Sequence, residues 1–293
     1  MSLILQVLQI VAPVFILGGI GAIWVKMGLE YRVQFVTRLT MTLSVPALIF
    51  VSLMKTEIDP QALRDTALAA LFAYIGVGLL VLLMLKIAKL DVRTFFAPLS
   101  FGNTGNLGLP LALFAFGTAG FDFAVVVFAI MAVLSFTIGV WVVSGGGSPV
   151  SAIKEPIVWA TILGGIFLVN GWMLPTWSVN TLELIGQIAI PVMLITLGVA
   201  IARLKPGTLG RAIWLSAAKY VICIAVPLAV GLFFALPPIA LGVLIVQVST
   251  PVAVTSYMLA EKYDADTDQV AGLVMVSTLM SIVVIPVLLA FLI

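Results

Sequence analysis

Long apolar stretches separated by short polar connections dominate the hydropathy pattern of this 293-residue chain. A helix needs about 20 consecutive apolar residues to cross the hydrocarbon core of a bilayer. Ten segments approach or exceed that length and predict an all-α polytopic membrane protein. They cover about 3–25, 33–54, 66–86, 94–117, 121–143, 156–173, 179–202, 210–234, 237–260 and 270–293.

The composition supports lipid as the main solvent of this chain. Hydrophobic residues make up 63% of it and charged residues only 9%, whereas a soluble domain carries about 25% charged residues. The net charge is +2, and without a basic run nucleic acid is not a predicted partner. The first segment has no charged residue before Lys26, so we interpret it as a spanning helix rather than a cleaved signal peptide.

The lysines and arginines predict an orientation in the membrane. Eleven of the fourteen lie in or beside the odd-numbered loops, while the even-numbered loops contain only Lys55 and Arg64. Cytoplasmic loops carry the excess of basic residues. We therefore expect the odd loops in the cytoplasm and both termini on the non-cytoplasmic side of the inner membrane.

Weak internal similarity predicts two halves. The triplet GGI at 18–20 recurs at 164–166, Pro46 corresponds to Pro191, and Pro110 corresponds to Pro251, at offsets of 146, 145 and 141 residues. Five helices per half is an odd number, so the second half must cross the membrane in the opposite sense, as in many secondary transporters. The expected units are a first repeat over 1–145, a linker over 146–154 and a second, inverted repeat over 155–293.

The fourth segment contains helix breakers and amides at its centre. Residues 100–117 read SFGNTGNLGLPLALFAFG. Glycine and proline weaken a helix, and unwound backbone at membrane depth is tolerated only where protein or a polar cavity surrounds it. The ninth segment has the same character, because hydroxyls and Gln247 surround Pro251.

Two interrupted helices that meet near the bilayer midplane would direct two helix N-termini at one point. Each N-terminus has unpaired N–H groups and a partial positive charge, so such a pocket suits an anion, most simply a carboxylate. Ordinary packing kinks are the alternative. The candidate substrate-binding residues are Asn103, Thr104, Asn106, Pro110, Ser249, Thr250, Pro251 and Thr255.

Ionisable residues inside the spans add one further candidate. Lys219 either extends towards the cytoplasmic interface or faces the helix bundle and balances the charge of an anion. No Asp or Glu lies at the centre of a predicted span, so proton antiport through a buried acid is not expected. The chain has no histidine, which argues against an intramembrane hydrolase and against a zinc site; no cofactor or metal is predicted.

The motif NTGNLGLPL at 103–111 resembles the fourth-helix crossover of the auxin efflux carrier family, which includes the plant PIN carriers and bacterial malonate-type permeases. The ninth segment, in which LAEKY at 259–263 follows Pro251, resembles the second crossover of that family. Weaker similarity extends over the whole chain. The resemblance implies a scaffold of helices 1, 2, 6 and 7, and a transport domain of helices 3–5 and 8–10 that moves like an elevator.

The resemblance and the residues together predict a secondary transporter of a small organic anion, either auxin-like or a dicarboxylate, and not an enzyme. A homodimer is an expectation from the family alone. Two alternatives stay open: a sodium-coupled symporter of the bile-acid type, and a membrane sensor that transports nothing.

Overall fold

The computed structural model describes residues 3–146, 156–203 and 209–293, and this part of the chain contains helices and connections but no β-strand. Nearly all of the predicted linker over 146–154 lies outside the described residues. Three short π-helical segments, Thr40–Ser44, Thr104–Gly108 and Ser135–Gly139, join successive α-helices. The α-helices are α1 Leu3–Lys26, α2 Val33–Leu39, α3 Val45–Lys55, α4 Pro60–Ile87, α5 Val92–Ser100, α6 Leu109–Leu134, α7 Val140–Val143, α8 Pro156–Asn170, α9 Thr176–Gln187, α10 Ala189–Arg203, α11 Leu209–Phe233, α12 Pro238–Val248, α13 Val254–Lys262 and α14 Thr267–Leu292.

Among the described residues, seven helical stretches are long and apolar enough to cross a membrane, which makes this a multi-pass membrane protein. They are Val7–Lys26, Val33–Lys55, Pro60–Ile87, Thr104–Val143, Thr176–Arg203, Leu209–Phe233 and Thr267–Leu292. The helices Pro156–Asn170 and Pro238–Val248 are apolar but shorter.

Three features of the structure explain why its described residues contain seven long apolar stretches where ten segments were predicted. The stretch Thr104–Val143 has 40 residues, which at 1.5 Å per residue is about twice the length that one crossing needs. It contains a non-helical residue, Gly117, whose φ of 68° is in the left-handed region that favours glycine. The predicted sixth segment is a helix of only 15 residues, and the predicted ninth segment is divided between α12 and α13.

Large apolar side chains cover the outside of the helices. Phe72, Leu79, Val221, Phe233 and Phe291 are more than half exposed. A soluble protein rarely exposes so many large apolar side chains over a wide surface. Exposure to lipid, unlike exposure to water, carries no hydrophobic penalty for these side chains.

The helices pack most extensively within two sets. The first helix set consists of α1, α2, α3, α8, α9 and α10, with its main contacts between α1 and α10 and between α3 and α8. The second helix set consists of α4–α7 and α11–α14, with its main contacts among α4, α6, α11, α12 and α14. Smaller interfaces, such as those of α1 and α3 with α6, join the two sets.

Glycines allow the backbones of α1 and α10 to touch. A Cβ on Gly21 would clash with the carbonyl of Ile195 and lie 2.9 Å from the amide nitrogen of Val199. A Cβ on Gly198 would likewise clash with the backbone of Gly18. Close approach through small residues is a common mode of helix packing in membranes.

We expect Gly21→Ala to destabilise the protein by about 1–3 kcal/mol, because the new methyl group has to separate two backbones. Gly19→Ala is the matched control in the same helix, since a Cβ there has nothing within 4 Å. Thermal unfolding of the two purified variants in detergent measures the difference. Equal melting temperatures would contradict this account of the α1–α10 contact.

Candidate functional site: the crossing of two interrupted helices

The first interruption lies between α5 and α6. Helix α5 ends at Ser100, residues 101–103 are not helical, and the π-helical segment Thr104–Gly108 leads into α6. The carbonyl of Asn103 accepts hydrogen bonds from the N–H groups of both Leu107 and Gly108, at 3.0 and 3.1 Å. The wider turn precedes Pro110, which has no N–H and would crowd the carbonyl of a regular preceding turn.

The second interruption, Ser249–Ala253, lies between α12 and α13. Pro251 stands at its centre and cannot donate a backbone hydrogen bond. The hydroxyl of Thr250 donates to the carbonyl of Gln247 at 2.8 Å and so satisfies one acceptor at the end of α12. Helix α13 then begins at Val254.

The two interruptions cross and pair with each other. The N–H of Asn103 donates to the carbonyl of Pro251 at 2.7 Å, and Gly102 and Val252 form an isolated antiparallel bridge. The N–H of Val252 donates to the hydroxyl of Ser277 in α14 at 3.0 Å. Backbone groups that left their helices therefore find partners inside the protein, as membrane depth requires.

A small cavity of about 60 Å³ lies beside the crossing; we call it the crossover cavity. The first turn that follows each interruption lines this cavity. Asn103 and Asn106 contribute from the first interruption, and Ala253, Thr255 and Ser256 contribute from the second. The rest of the wall is mostly apolar. It is formed by Met41, Phe101, Gly102, Gly105, Phe128, Met131, Ala132, Ser135, Phe136 and Ile157.

The crossover cavity offers donors but no formal charge. Within the described chain, none of the 15 residues that line it is charged. The side-chain nitrogen of Asn103 is buried and has no hydrogen-bond partner among the described residues. A helix N-terminus adds a partial positive charge and unpaired N–H groups.

Two larger cavities continue from the crossover cavity to the surface. A middle cavity of about 480 Å³ shares Met41, Phe136 and Thr255 with the crossover cavity. A vestibule of about 760 Å³ shares Glu261 and other residues with the middle cavity, and its wall also contains Glu30, Arg32 and Arg203. A series of adjoining cavities thus extends from the crossing to one end of the molecule.

Comparison with known proteins assigns the chain to a family. A family model described as "membrane transport protein", that of the auxin efflux carriers, matches residues 140–289. The chain belongs to the auxin efflux carrier family.

Two archaeal relatives are similar over almost the whole chain. An uncharacterized transporter of Methanothermobacter thermautotrophicus is 26% identical over 296 residues, covering 97% of this chain and 95% of the relative. An uncharacterized transporter of Methanocaldococcus jannaschii is 25% identical over 278 residues, covering 87% of this chain and 88% of the relative. The auxin efflux carrier family is a family of membrane transporters.

Three of the predicted site residues line the crossover cavity in the structure. They are Asn103, Asn106 and Thr255. The other candidates are buried nearby without lining it. Those are Thr104, Pro110, Ser249, Thr250 and Pro251.

Lys219 lies behind the crossing rather than in the crossover cavity. It is fully buried, so its side chain does not reach the interface as one interpretation of the sequence required. Its ammonium donates to the thiol of Cys223 at 3.6 Å, and that thiol lies 3.9 Å from the carbonyl of Leu99 near the end of α5. A cation at a helix C-terminus is favourably placed relative to the helix dipole.

Two residues outside the list of candidate substrate-binding residues contribute to the crossing. Ser277 holds the backbone of Val252, and the amide of Gln247 faces Gly108, where a Cβ would clash with it. Both amide atoms of Gln247 are buried without a partner among the described residues. The sequence around Ser277 does not show that its hydroxyl contacts a backbone 25 positions away, whereas Gln247 stands out in the sequence as an amide within a span.

Arg93 connects three helix ends on one side of the crossing. Its guanidinium donates to the carbonyl of Val143 at 2.9 Å and to the carbonyl of Tyr263 at 2.5 Å. Its neighbour Asp91 caps α5 by accepting from the N–H and hydroxyl of Thr94. Partial burial opposes ionisation of Asp91, but these hydrogen bonds and the N–H of Arg93 lower the pKa of its carboxyl below the ordinary value.

We expect Gly102→Ala to destabilise the protein by about 1–3 kcal/mol, because a Cβ there would lie 2.8 Å from the carbonyl oxygen of Thr250 and push the crossing apart. Gly105→Ala is the control in the same interruption. Its Cβ would meet the ring of Phe128 at 3.1 Å, and a side chain yields more easily than a backbone. Thermal unfolding that is equally affected by the two substitutions would argue against a tight backbone crossing.

Proposed function

We propose that this protein is a secondary transporter of small organic anions and that the crossover cavity binds the anionic group. The observation that carries the proposal is one cavity lined by the N-terminal turns of two interrupted helices, with an unpartnered buried donor on Asn103. Carboxylates are favoured at helix N-termini. A cavity with donors and no acidic side chain disfavours a cation.

The proposed substrate is a monocarboxylate with an apolar body. The crossover cavity is about 60 Å³, which suits a carboxylate group and little more. Phe128, Met131 and Phe136 form part of its wall, and the adjoining middle cavity adds Met258 and Leu259. Among the described residues, the crossover cavity has no cationic side chain in its wall, so a second carboxylate held there would lose hydration without gaining an equivalent partner.

The proposed architecture is ten membrane helices in two inverted five-helix halves, over 1–145 and 155–293, joined by the linker at 146–154. Separate packing of the two helix sets supports a scaffold and a transport domain. In this scheme the first set is the scaffold and the second set carries the crossing. Alternating access then requires the second set to move along the first like an elevator.

In the proposed orientation the vestibule opens to the cytoplasm, since the basic residues of the odd-numbered loops are on that side. Arg32 and Arg203 lie in its wall, although Glu30 and Glu261 balance their charge. Arg32 is also paired with Glu30, at 2.5 Å. Both chain termini would then be on the non-cytoplasmic side.

We expect Asn103→Ala to weaken substrate binding roughly tenfold to a hundredfold, because a charge-assisted hydrogen bond to the anion is lost. Asn170→Ala is the matched control, since Asn170 is exposed on α8 and its amide donates to the carbonyl of Ile166. Uptake into proteoliposomes and thermal-shift titration with the same carboxylate measure the effect. Wild-type affinity in a correctly folded Asn103→Ala protein would remove Asn103 from the site.

We expect benzoate and indole-3-acetate to stabilise the purified protein more than malonate or succinate at equal concentration, because the wall of the crossover cavity is mostly apolar and its described residues offer no charged partner for a second carboxylate. Replacing sodium by choline in the flux assay should leave transport unchanged. Preferential stabilisation by dicarboxylates would contradict the proposed substrate class. Transport that requires sodium would instead favour a cation-coupled symporter.

A further inference from the structure

The end of the molecule away from the vestibule has a separate cavity of about 420 Å³, which we call the opposite cavity. It is lined by α3, by the part of α6 after Gly117, and by α9. It shares no lining residue with the crossover cavity. The crossover cavity therefore shares wall residues with the middle cavity, on the vestibule side, and among the described residues it shares none with the opposite cavity.

A hydrogen bond between the two helix sets lies in the wall of the opposite cavity. The hydroxyl of Ser52 in α3 donates to the carboxylate of Asp122 in α6 at 2.5 Å, across 70 positions of sequence. The hydroxyl of Thr56, just after α3, lies near the same carboxylate. Hydrogen bonds to a carboxylate are among the stronger ones in proteins.

A second polar contact in the same cavity has a different consequence. The ammonium of Lys55 and the carboxylate of Glu183 form an ion pair at 2.7 Å. It joins α3 to α9, and both helices belong to the first set. Sliding of one set along the other leaves this ion pair intact, whereas it has to break the hydrogen bond from Ser52 to Asp122 and move Thr56 away from that carboxylate.

We propose that Asp122, Ser52 and Thr56 form a latch that holds this end closed and controls the side to which the binding site opens. The inference rests on the proposed transport function, because it requires the two sets to move. Each cycle breaks the latch when the opposite cavity connects with the crossing and forms it again when the vestibule is connected. The three residues bind no substrate in this scheme; they set the balance between two conformations.

Accessibility of a cysteine in the crossover cavity tests the latch. Ala132→Cys places the reporter in the cavity wall, and the natural Cys223 is fully buried and gives little background. A membrane-impermeant maleimide is added to sealed vesicles of each orientation. Two variants remove the latch in different ways: Asp122→Ala, and the double variant Ser52→Ala with Thr56→Val.

We expect both latch variants to raise the labelling rate from the face of the opposite cavity about tenfold, a population shift of about 1.4 kcal/mol. Ser52→Thr keeps a hydroxyl and should label like the parent. Glu183→Gln is the matched control, because it breaks a polar contact in the same cavity within one helix set. Its labelling rate should stay within about twofold of the parent, as for an exposed ion pair of small energy.

The outcomes separate the latch from the transport proposal. If the parent transports carboxylates but both latch variants label like the parent, the latch is overturned and the transport function stands. An equal increase with Glu183→Gln also overturns it, because the opening would then reflect general loosening of this end. If the parent transports no carboxylate, the proposed function fails, whatever the labelling shows.

Discussion

The structure depends on one constraint, which is that no backbone N–H or carbonyl at bilayer depth can rely on water for a partner. Segments 101–103 and 249–253 both leave helical geometry inside apolar surroundings. They satisfy each other by pairing directly, through the bond from Asn103 to Pro251 and the bridge between Gly102 and Val252. The same pairing places the starts of two helices on one cavity. One pairing therefore both satisfies the backbone hydrogen bonds and forms the candidate site.

This pairing also determines which parts can move. Separating the crossed segments would leave buried donors and acceptors without partners, each at a cost of about 1–3 kcal/mol. Ser277 and Arg93 tie further helices of the second set to the crossed pair. The interface between the two helix sets is less extensive, and Ser52 and Asp122 bridge it. In the proposed elevator scheme, motion occurs between the two helix sets, and the crossing is carried as a rigid unit.

The sequence predicted the elements whose signals are local. Apolar length identified a multi-pass helical protein, and glycine, proline and amides marked both interruptions. The sequence did not predict where the two interruptions touch. Pro110 marks the turn after the first interruption, whereas the close contact is made by Gly102. Ser277 and Arg93 act on partners far away in sequence, so no spacing rule could find them. For the same reason, the sequence did not predict the hydrogen bond between Ser52 and Asp122, which are 70 positions apart. The stretch Thr104–Val143 counts as one in the structure, but it is about twice as long as a single crossing and contains the non-helical Gly117 between the two predicted segments.

The position of Lys219 bears on how such a site can release what it binds. A lysine in the wall of the crossover cavity would hold a carboxylate through a full charge, and a carrier has to let its substrate leave as well as enter. Lys219 instead lies behind Leu99, beside Cys223 and the end of α5. In the proposed transport scheme, the attraction at the crossing comes from backbone N–H groups, amides and the partial charges of two helix termini. Such a site would bind an anion weakly enough to exchange it, and Lys219, which does not line the crossover cavity, would not contact the substrate.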